Sequence, residues 1–442
     1  MNLPKPFLLR MQSLLGDAFP LFLAEYDKEP TRAMFVPFLD AGCFDFALFP
    51  IAHLQRGYTF ELDKPGNHAL HHAGAFYVQD PSAMATVSAV ELKEGMKCLD
   101  LCASPGGKST QIASKIGKDG FLVSNEINPS RCKTLCSNIE RMGFGNTQIT
   151  NADPKRMAAW YPRYFDLTVV DAPCSGEGMF RKYESAPEEW SEGAPAYCAS
   201  RQREILQYAQ ETVADGGMLL YSTCTFSTEE NEQIVAWFLE QYPDFLLMDL
   251  PKRLVDVSAP GIGMEQARRF YPHLASGEGQ FVALFKRGGE RRETFEAFPD
   301  ARKQLSIKEE QALYAFLEEN VQKGGDLTLC AYGKNLVSSA HPVPKENTFS
   351  AGMTLGTLAQ GARDSRLVPH HQLFKCLADR FYRKIELTLD DPRVEQYLKG
   401  MEIDTDTPDG WAVVTVCGVP LGGAKISHGV AKNHYPKGLR KV

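Results

Sequence analysis

The stretch from Asp100 to Thr110, DLCASPGGKST, decides the fold. It follows the apolar Lys97-Cys98-Leu99 and runs directly into a helical pattern, KSTQIASKI, closed by Gly117. Strand, glycine turn and helix in that order open a doubly wound α/β unit. Pro105, Gly106 and Gly107 let backbone approach a ligand, because little or no Cβ stands in the way. The helix behind them points its free N–H groups at the same place. Gly107-Lys108-Ser109 looks like the end of a phosphate-binding P-loop, but that motif needs a glycine where Cys102 stands, and the G-x-G-x-x-G spacing of dinucleotide sites is absent too. What remains is a nucleoside-type pocket.

Acids at the ends of later strands fit such a pocket. Glu126 ends FLVSNE, about twenty residues past the loop, where a carboxylate commonly bonds ribose hydroxyls. Asp153 ends TQITNAD and Asp171 ends FDLTVVD. One such acid alone would more often be a loop residue or a helix cap. The ordered set has the layout of an S-adenosyl-L-methionine site.

From 76 to 287 the pattern alternates strands and helices. The strands are KCLDLC, GFLVSNE, TQITNAD, FDLTVVDAP, GGMLLYSTC, FLLMDL and QFVALFK. This predicts a Rossmann-like α/β core with a mainly parallel seven-stranded sheet covered on both faces. Asp80-Pro81-Ser82 predicts a capped helix with proline in its first turn. Ser227 with Glu230 three residues on has capping-box spacing.

Around the core, residues 1–75 begin with helical patterns, continue as apolar, irregular pieces, and are expected to form a small α+β domain. Residues 288–299 form a polar linker, 300–368 a small mixed domain and 369–442 a final α+β domain. The chain has 442 residues, of which 43% are apolar and 23% charged, with a net charge of −7. No run is read as membrane-spanning, and MNLPKPFLLRMQSLLG is expected to be an amphipathic helix rather than a signal peptide. Eleven cysteines without framework spacing suggest reduced thiols in a cytoplasm. His68, His71 and His72 lie in a polar loop without paired carboxylates, so no metal is expected. The acidic balance argues weakly against nucleic acid, but Lys425, Lys432, Lys437, Arg440 and Lys441 crowd the last stretch without any acid. Such a segment is either a solvated tail or an RNA footprint.

Two cysteine turns carry the chemistry. Asp171-Ala172-Pro173-Cys174-Ser175-Gly176 follows one strand and Ser222-Thr223-Cys224-Thr225 another. Most free cysteines are small buried hydrophobes, yet turns just past strand ends are not core. A helix capped at Ser227 would place N–H dipoles near Cys224 and favour its thiolate. A thiolate beside a methyl donor has a specific use. Carbon 5 of cytosine is a poor nucleophile until a thiolate adds at carbon 6 and an acid meets the charge developing at ring nitrogen 3. The base must leave any stack to be reached, so RNA-holding domains are expected around the core.

DLCASPGGKST, DAPCSGEG and YSTCTFSTEEN resemble, in order, the signature motifs of the RsmB/RsmF (Nop/Sun) family of RNA cytosine-5 methyltransferases, and YVQDPSAM resembles the motif preceding that core. The closing GVPLGGAKISHGVAKNHYPKGLRK resembles the PUA-like end of the RsmF-type 16S rRNA enzymes. On the same resemblance the small N-terminal domain is RNA-binding. The resemblance implies that Cys224 is the nucleophile, that Cys174 helps release the product, and that Asp171 partners ring nitrogen 3. It implies that Cys102, Ala103, Ser104, Pro105, Gly106, Gly107 and Lys108, with Glu126, Arg131, Asp153 and Asp171, hold S-adenosyl-L-methionine. Lys182 and Arg181 face RNA phosphate on this reading, as do Lys425, Lys432, Lys437 and Arg440. The implied partner is ribosomal RNA in a small subunit or its precursor, bound by a monomer. Alternatives are the same reaction on tRNA or 23S rRNA, or a non-catalytic ribosome-assembly protein.

Overall fold

The strand Lys97–Asp100 sits at the centre of a sheet. Phe121–Asn125 and then Thr147–Thr150 lie parallel on one side, Phe165–Asp171 and then Val213–Thr223 parallel on the other. The structure, a computed structural model, describes residues 3–290, 298–323, 327–359 and 366–441. Residues 291–297 of the expected linker lie outside that range. The chain winds outward from the central strand to Thr147–Thr150, then crosses back to Phe165–Asp171. The switch point therefore falls between the glycine-loop strand and the strand ending in Asp171, and the carboxyl edge at such a point is where open α/β sheets bind ligands.

Alternation along the strands explains the two-sided cover. Cys98, Leu122, Leu167 and Leu220 pack on one face with Met84, Ile112, Leu135 and Ile139 of three helices. Leu99, Val123, Val170 and Tyr221 pack on the other with Met157, Leu206 and Phe238. Strands buried on both faces need apolar residues at successive positions.

All seven anticipated strands are present, but the sheet has ten, and its flanks are antiparallel. Gln280–Arg287 runs antiparallel to Val213–Thr223 and carries Phe245–Met248 and Met264–Phe270. Met264–Phe270 was hidden by its charges, and Arg269 in it is buried because it pairs with Glu232. At the far edge Thr348–Ser350, from the C-terminal half, pairs antiparallel with Thr147–Thr150. An open edge presents unpaired N–H and C=O groups, and this strand covers it.

The N-terminal segment is α+β, as the expected fold class has it. Its irregular pieces form a four-stranded antiparallel sheet of Leu48–Pro50, Gly57–Phe60, Ala33–Phe35 and Tyr77–Val78. By length and composition Lys5–Asp27 passes for a membrane span, where the sequence pattern predicts an amphipathic helix. Here it is broken at Gly16, whose φ is +51°, into the helices Lys5–Leu15 and Phe19–Ala24. Phe7, Met11 and Phe22 of these helices pack on Phe180, Phe226 and Tyr271 of the core.

On the C-terminal side, Ile307–Asn320 starts with a capping box of Ser306 and Glu309. A four-stranded sheet of residues 329–369 follows. The last module is a five-stranded sheet built from Lys384–Leu387, Gly410–Val416, Val419–Ser427, Val430–Asn433 and Ile403–Asp404. The basic stretch is therefore largely strand, not a solvated tail.

Neutral histidines sit in the seams. His371 is 6% exposed, neither ring nitrogen has a partner, and burial, then Lys375 and His370, push its pKa to about 3. His341 stacks on Phe121 of the core and is pushed to about 4, by burial first. Below an unfolded pKa near 6.5 the unfolded chain takes up protons that these rings refuse. Their contribution to stability is present above that pH and fades as pH falls toward the folded values. At pH 5 His371 alone costs about 2 kcal/mol. Calorimetric melting at pH 7 and pH 5 should show a smaller acid loss for His371→Phe than for the native chain.

Candidate active site

The glycine loop is shaped by its backbone. Gly106 has φ +114°, a left-handed conformation that side chains rarely adopt, and a Cβ on Gly107 would lie 3.0 Å from the Gln79 amide. Asp100, at the strand end, is fully buried and accepts the Ser109 hydroxyl at 2.7 Å, and burial pushes its carboxyl up to about 7. The Cys102 thiol is pushed up by burial, so it is a poor nucleophile.

The neighbouring acids take separate places. Glu126 is buried and accepts the Asn128 N–H at 2.9 Å. Arg131 lies 3.5 Å from its other oxygen and donates to the Ser104 carbonyl at 2.8 Å. The Ser104 hydroxyl donates back to the Arg131 carbonyl at 3.0 Å, so Arg131 laces the loop to the acid. Asp153 caps the helix Pro154–Trp160, accepting the Arg156 N–H at 2.8 Å. Asp171 accepts Ser222 Oγ at 2.7 Å and Gln280 Nε2 at 3.2 Å. Its other oxygen lies 2.8 Å from Lys108 Nζ. Lys108, grouped with the loop in the sequence, thus reaches across the switch point to the acid.

The two cysteine turns end adjacent parallel strands, and they meet. Cys174 Sγ lies 3.2 Å from Cys224 Sγ. Both cysteines are free thiols. The hydrogen bond to Cys224, burial and the Cys224 charge push the Cys174 thiol well above its ordinary value. Burial and the neighbouring sulfur thus favour the protonated form of Cys174.

Two sequence expectations fail here. The helix after Cys224 starts only at Glu232, with Asn231 at its cap, so its N-terminus is not beside the thiol. Ser227 Oγ receives the Glu230 N–H at 3.4 Å, but the Glu230 carboxylate turns away from the box to Ser175 and Gln202. Arg181 does not face solvent. Its guanidinium forks onto Glu278 at 2.7 and 2.9 Å and reaches the Glu25 carbonyl at 2.9 Å, tying the N-terminal helices to the core.

Other basic residues are better placed for phosphate. Lys182 and Lys437 are exposed. Lys425 and Lys432 are paired in register on adjoining strands, and Lys425 Nζ lies 5.7 Å from the Trp411 ring centre. Arg440 is half-buried, packs over Gly400 and donates to the Tyr435 carbonyl at 3.4 Å, so it anchors the chain end.

Three family profiles match successive parts of the chain. "N-terminal domain of 16S rRNA methyltransferase RsmF" matches residues 3–81, "16S rRNA methyltransferase RsmB/F" residues 87–286, and "Methyltransferase RsmF PUA domain" residues 384–441. The Ribosomal RNA small subunit methyltransferase F of Erwinia tasmaniensis is 30% identical over 470 residues, covering 99% of this chain and 96% of its own. The chain belongs to the RsmB/F family of 16S rRNA methyltransferases. The protein of the same name from Klebsiella pneumoniae is also 30% identical, over 99% of this chain and 96% of its own. Among solved structures, NSun6 from Pyrococcus horikoshii with SFG superposes with a TM-score of 0.58 at 20% identity, covering 65% of this chain and 99% of that one. That likeness concerns the fold.

As a member of this family the protein is an RNA methyltransferase whose methyl donor is S-adenosyl-L-methionine. The residues present fit that donor. A buried carboxylate at Glu126 suits ribose hydroxyls. The left-handed φ of Gly106 and the tight approach of Gln79 to Gly107 favour bare backbone in the loop, and Asp153 offers a further acceptor beyond the next strand. Sequence reasoning missed Glu177, Glu230 and Gln280. Glu230 had a signal, but its spacing pointed to a cap instead.

Proposed function

We propose that the protein methylates carbon 5 of a cytosine in small-subunit ribosomal RNA, within the subunit or its precursor, through a covalent bond between Cys224 and ring carbon 6. The contact between two free thiols, 3.2 Å apart at the carboxyl edge beside the glycine loop, carries this reading. Methylation of nitrogen or oxygen atoms requires no thiol. Bound S-adenosyl-L-methionine supplies an electrophilic methyl group to the activated carbon 5. Cys224, as thiolate, adds at carbon 6. The Asp171–Lys108 pair is the place from which a proton meets charge at ring nitrogen 3. After transfer the carbon 5 proton leaves to water, its electron pair closes the 5,6 double bond, the carbon–sulfur pair departs with Cys224, and ring nitrogen 3 returns its proton to the Asp171–Lys108 pair. The Cys174 S–H, in contact with that sulfur, stabilises it as leaving group. Loop residues 102–108, Glu126, Arg131 and Asp153 hold the donor, and Lys182, Lys425, Lys432 and Lys437 offer charge to phosphate.

Bisulfite sequencing of ribosomal and transfer RNA from cells with and without the gene tests the substrate. At least one small-subunit cytosine should resist deamination only when the gene is present. A difference confined to tRNA or large-subunit RNA would move the substrate, and no difference in any RNA would remove the reaction.

A further inference from the structure

The two cysteine turns are cross-braced by buried carboxylates that do not belong to the reacting pair. Glu230, beyond Cys224, accepts the Ser175 N–H at 2.9 Å and also the Ser175 hydroxyl. Gln202 donates to Glu230 at 2.9 Å, and the same amide donates to the Pro173 carbonyl at 3.0 Å. The backbone on both sides of Cys174 is thus held by one Glu–Gln unit. In return, Glu177 from the first turn accepts the Phe226 N–H at 3.2 Å, and the Gly178 N–H donates to the Cys224 carbonyl at 2.9 Å.

Glu230 is completely buried, and so is Glu177. A carboxylate removed from water is costly unless its donors are fixed. Every donor to Glu230 lies on residues that flank Cys174 or on Gln202 behind it. Its carboxylate therefore holds the Cys174 turn directly, and the Ser175 hydroxyl also meets Thr225 Oγ1, beside Cys224, at 2.8 Å.

We propose that Glu230 is a positioning residue for product release: through Ser175 and Gln202 it keeps the Cys174 S–H aimed at the Cys224 sulfur. This rests on the reading of Cys224 as nucleophile and Cys174 as its release partner. Addition of Cys224 to carbon 6 needs no donor from Cys174, whereas departure of the sulfur with its electron pair does. Glu230→Gln keeps the size of the side chain but removes the charge and one of the two carboxylate oxygens that hold Ser175 and Gln202. Cys174 then loses its fixed place, and a shift of about 1 Å is enough for a loss on the order of 10²-fold.

The test uses full-length protein, small-subunit rRNA and methyl-labelled S-adenosyl-L-methionine, after calorimetry has established that each variant binds the donor. Glu230→Gln should complete one methyl transfer per enzyme, turn over about 10- to 100-fold more slowly, and accumulate a labelled RNA–protein band that survives denaturing electrophoresis. Ser175→Ala keeps the N–H and loses the hydroxyl with its contacts to Glu230 and Thr225, so it should give a weaker band of the same kind. It also decides the matter if Glu230→Gln does not fold. Unchanged turnover without a band, or loss of the first transfer together with the band, would overturn the proposal, because packing damage alone removes both steps. The underlying reading fails separately, through Cys174→Ala giving no band or Cys224→Ala keeping activity.

Discussion

Cys224→Ala is expected to lower methyl transfer to RNA by more than about 10³-fold and to leave the affinity for S-adenosyl-L-methionine unchanged. The two effects separate because of where the residues lie. The glycine loop and Glu126, proposed to hold the donor, follow the strands Lys97–Asp100 and Phe121–Asn125, while Cys224 follows a strand on the other side of Phe165–Asp171. Alanine removes one sulfur from a half-exposed position and breaks no bond of the glycine loop. The hydrogen bonds that set the turn, Tyr221 OH to the Glu230 carbonyl and Asn231 Nδ2 to the Thr225 carbonyl, remain. On the proposed mechanism, what disappears is the group that makes carbon 5 nucleophilic, and the remaining residues have no substitute for it. Cys102 is pushed up by burial, and the protonated form of Cys174 is favoured. Labelled-methyl incorporation into small-subunit rRNA measures the first effect and titration calorimetry the second. Substantial activity in Cys224→Ala would show that the addition at carbon 6 belongs elsewhere.

The core was legible because its signals are local. A strand buried on both faces must be apolar at successive positions, and a glycine turn before a helix has few other uses, so residues 97–117 and the strand ends at Glu126, Asp153 and Asp171 could be placed without coordinates. The position of the cysteine turns was legible for the same reason, since each lies directly behind a strand. What could not be read were pairings between residues distant in sequence. Lys108 appeared to serve the loop, whereas its ammonium faces Asp171 across the switch point. Arg181 looked like a surface cation, but it is consumed by Glu278 and Glu25 from two remote segments. Glu230 matched a capping box in spacing, and local geometry lost to a buried demand from Ser175. Thr348–Ser350 is too short to announce itself and is a strand only because Thr147–Thr150 offers it an edge. Lys5–Asp27 shows the opposite case, where composition suits a membrane span while Gly16 and the aromatic contacts of Phe7 and Phe22 make a bent pair of helices against the core. Periodicity carries one-dimensional information, and ion pairs and edge pairings are decided in three.

Cys174→Ala should behave unlike Cys224→Ala, although the two sulfurs touch. Addition of Cys224 and transfer of the methyl group do not require Cys174, so the first turnover should proceed. Release is different. The carbon–sulfur bond must break with both electrons going to Cys224, and an uncompensated thiolate is a poorer leaving group in a partly buried site than one receiving a hydrogen bond. In the native protein the Cys174 S–H lies against that sulfur, and burial together with the neighbouring sulfur favours its protonated form. Alanine offers a methyl group there. The methylated RNA should therefore remain attached, giving a protein–RNA adduct that persists on denaturing gels, with steady-state turnover reduced by about 10²-fold or more. Cys174→Ser sharpens the point, since a hydroxyl restores a donor at nearly the same position and should recover part of the turnover. The double variant Cys174→Ala/Cys224→Ala must give no adduct, because the bond being trapped is to Cys224. An adduct in the double variant, or equal turnover in Cys174→Ala and native enzyme, would separate the thiol contact from release and leave the proximity of the two sulfurs without a chemical role.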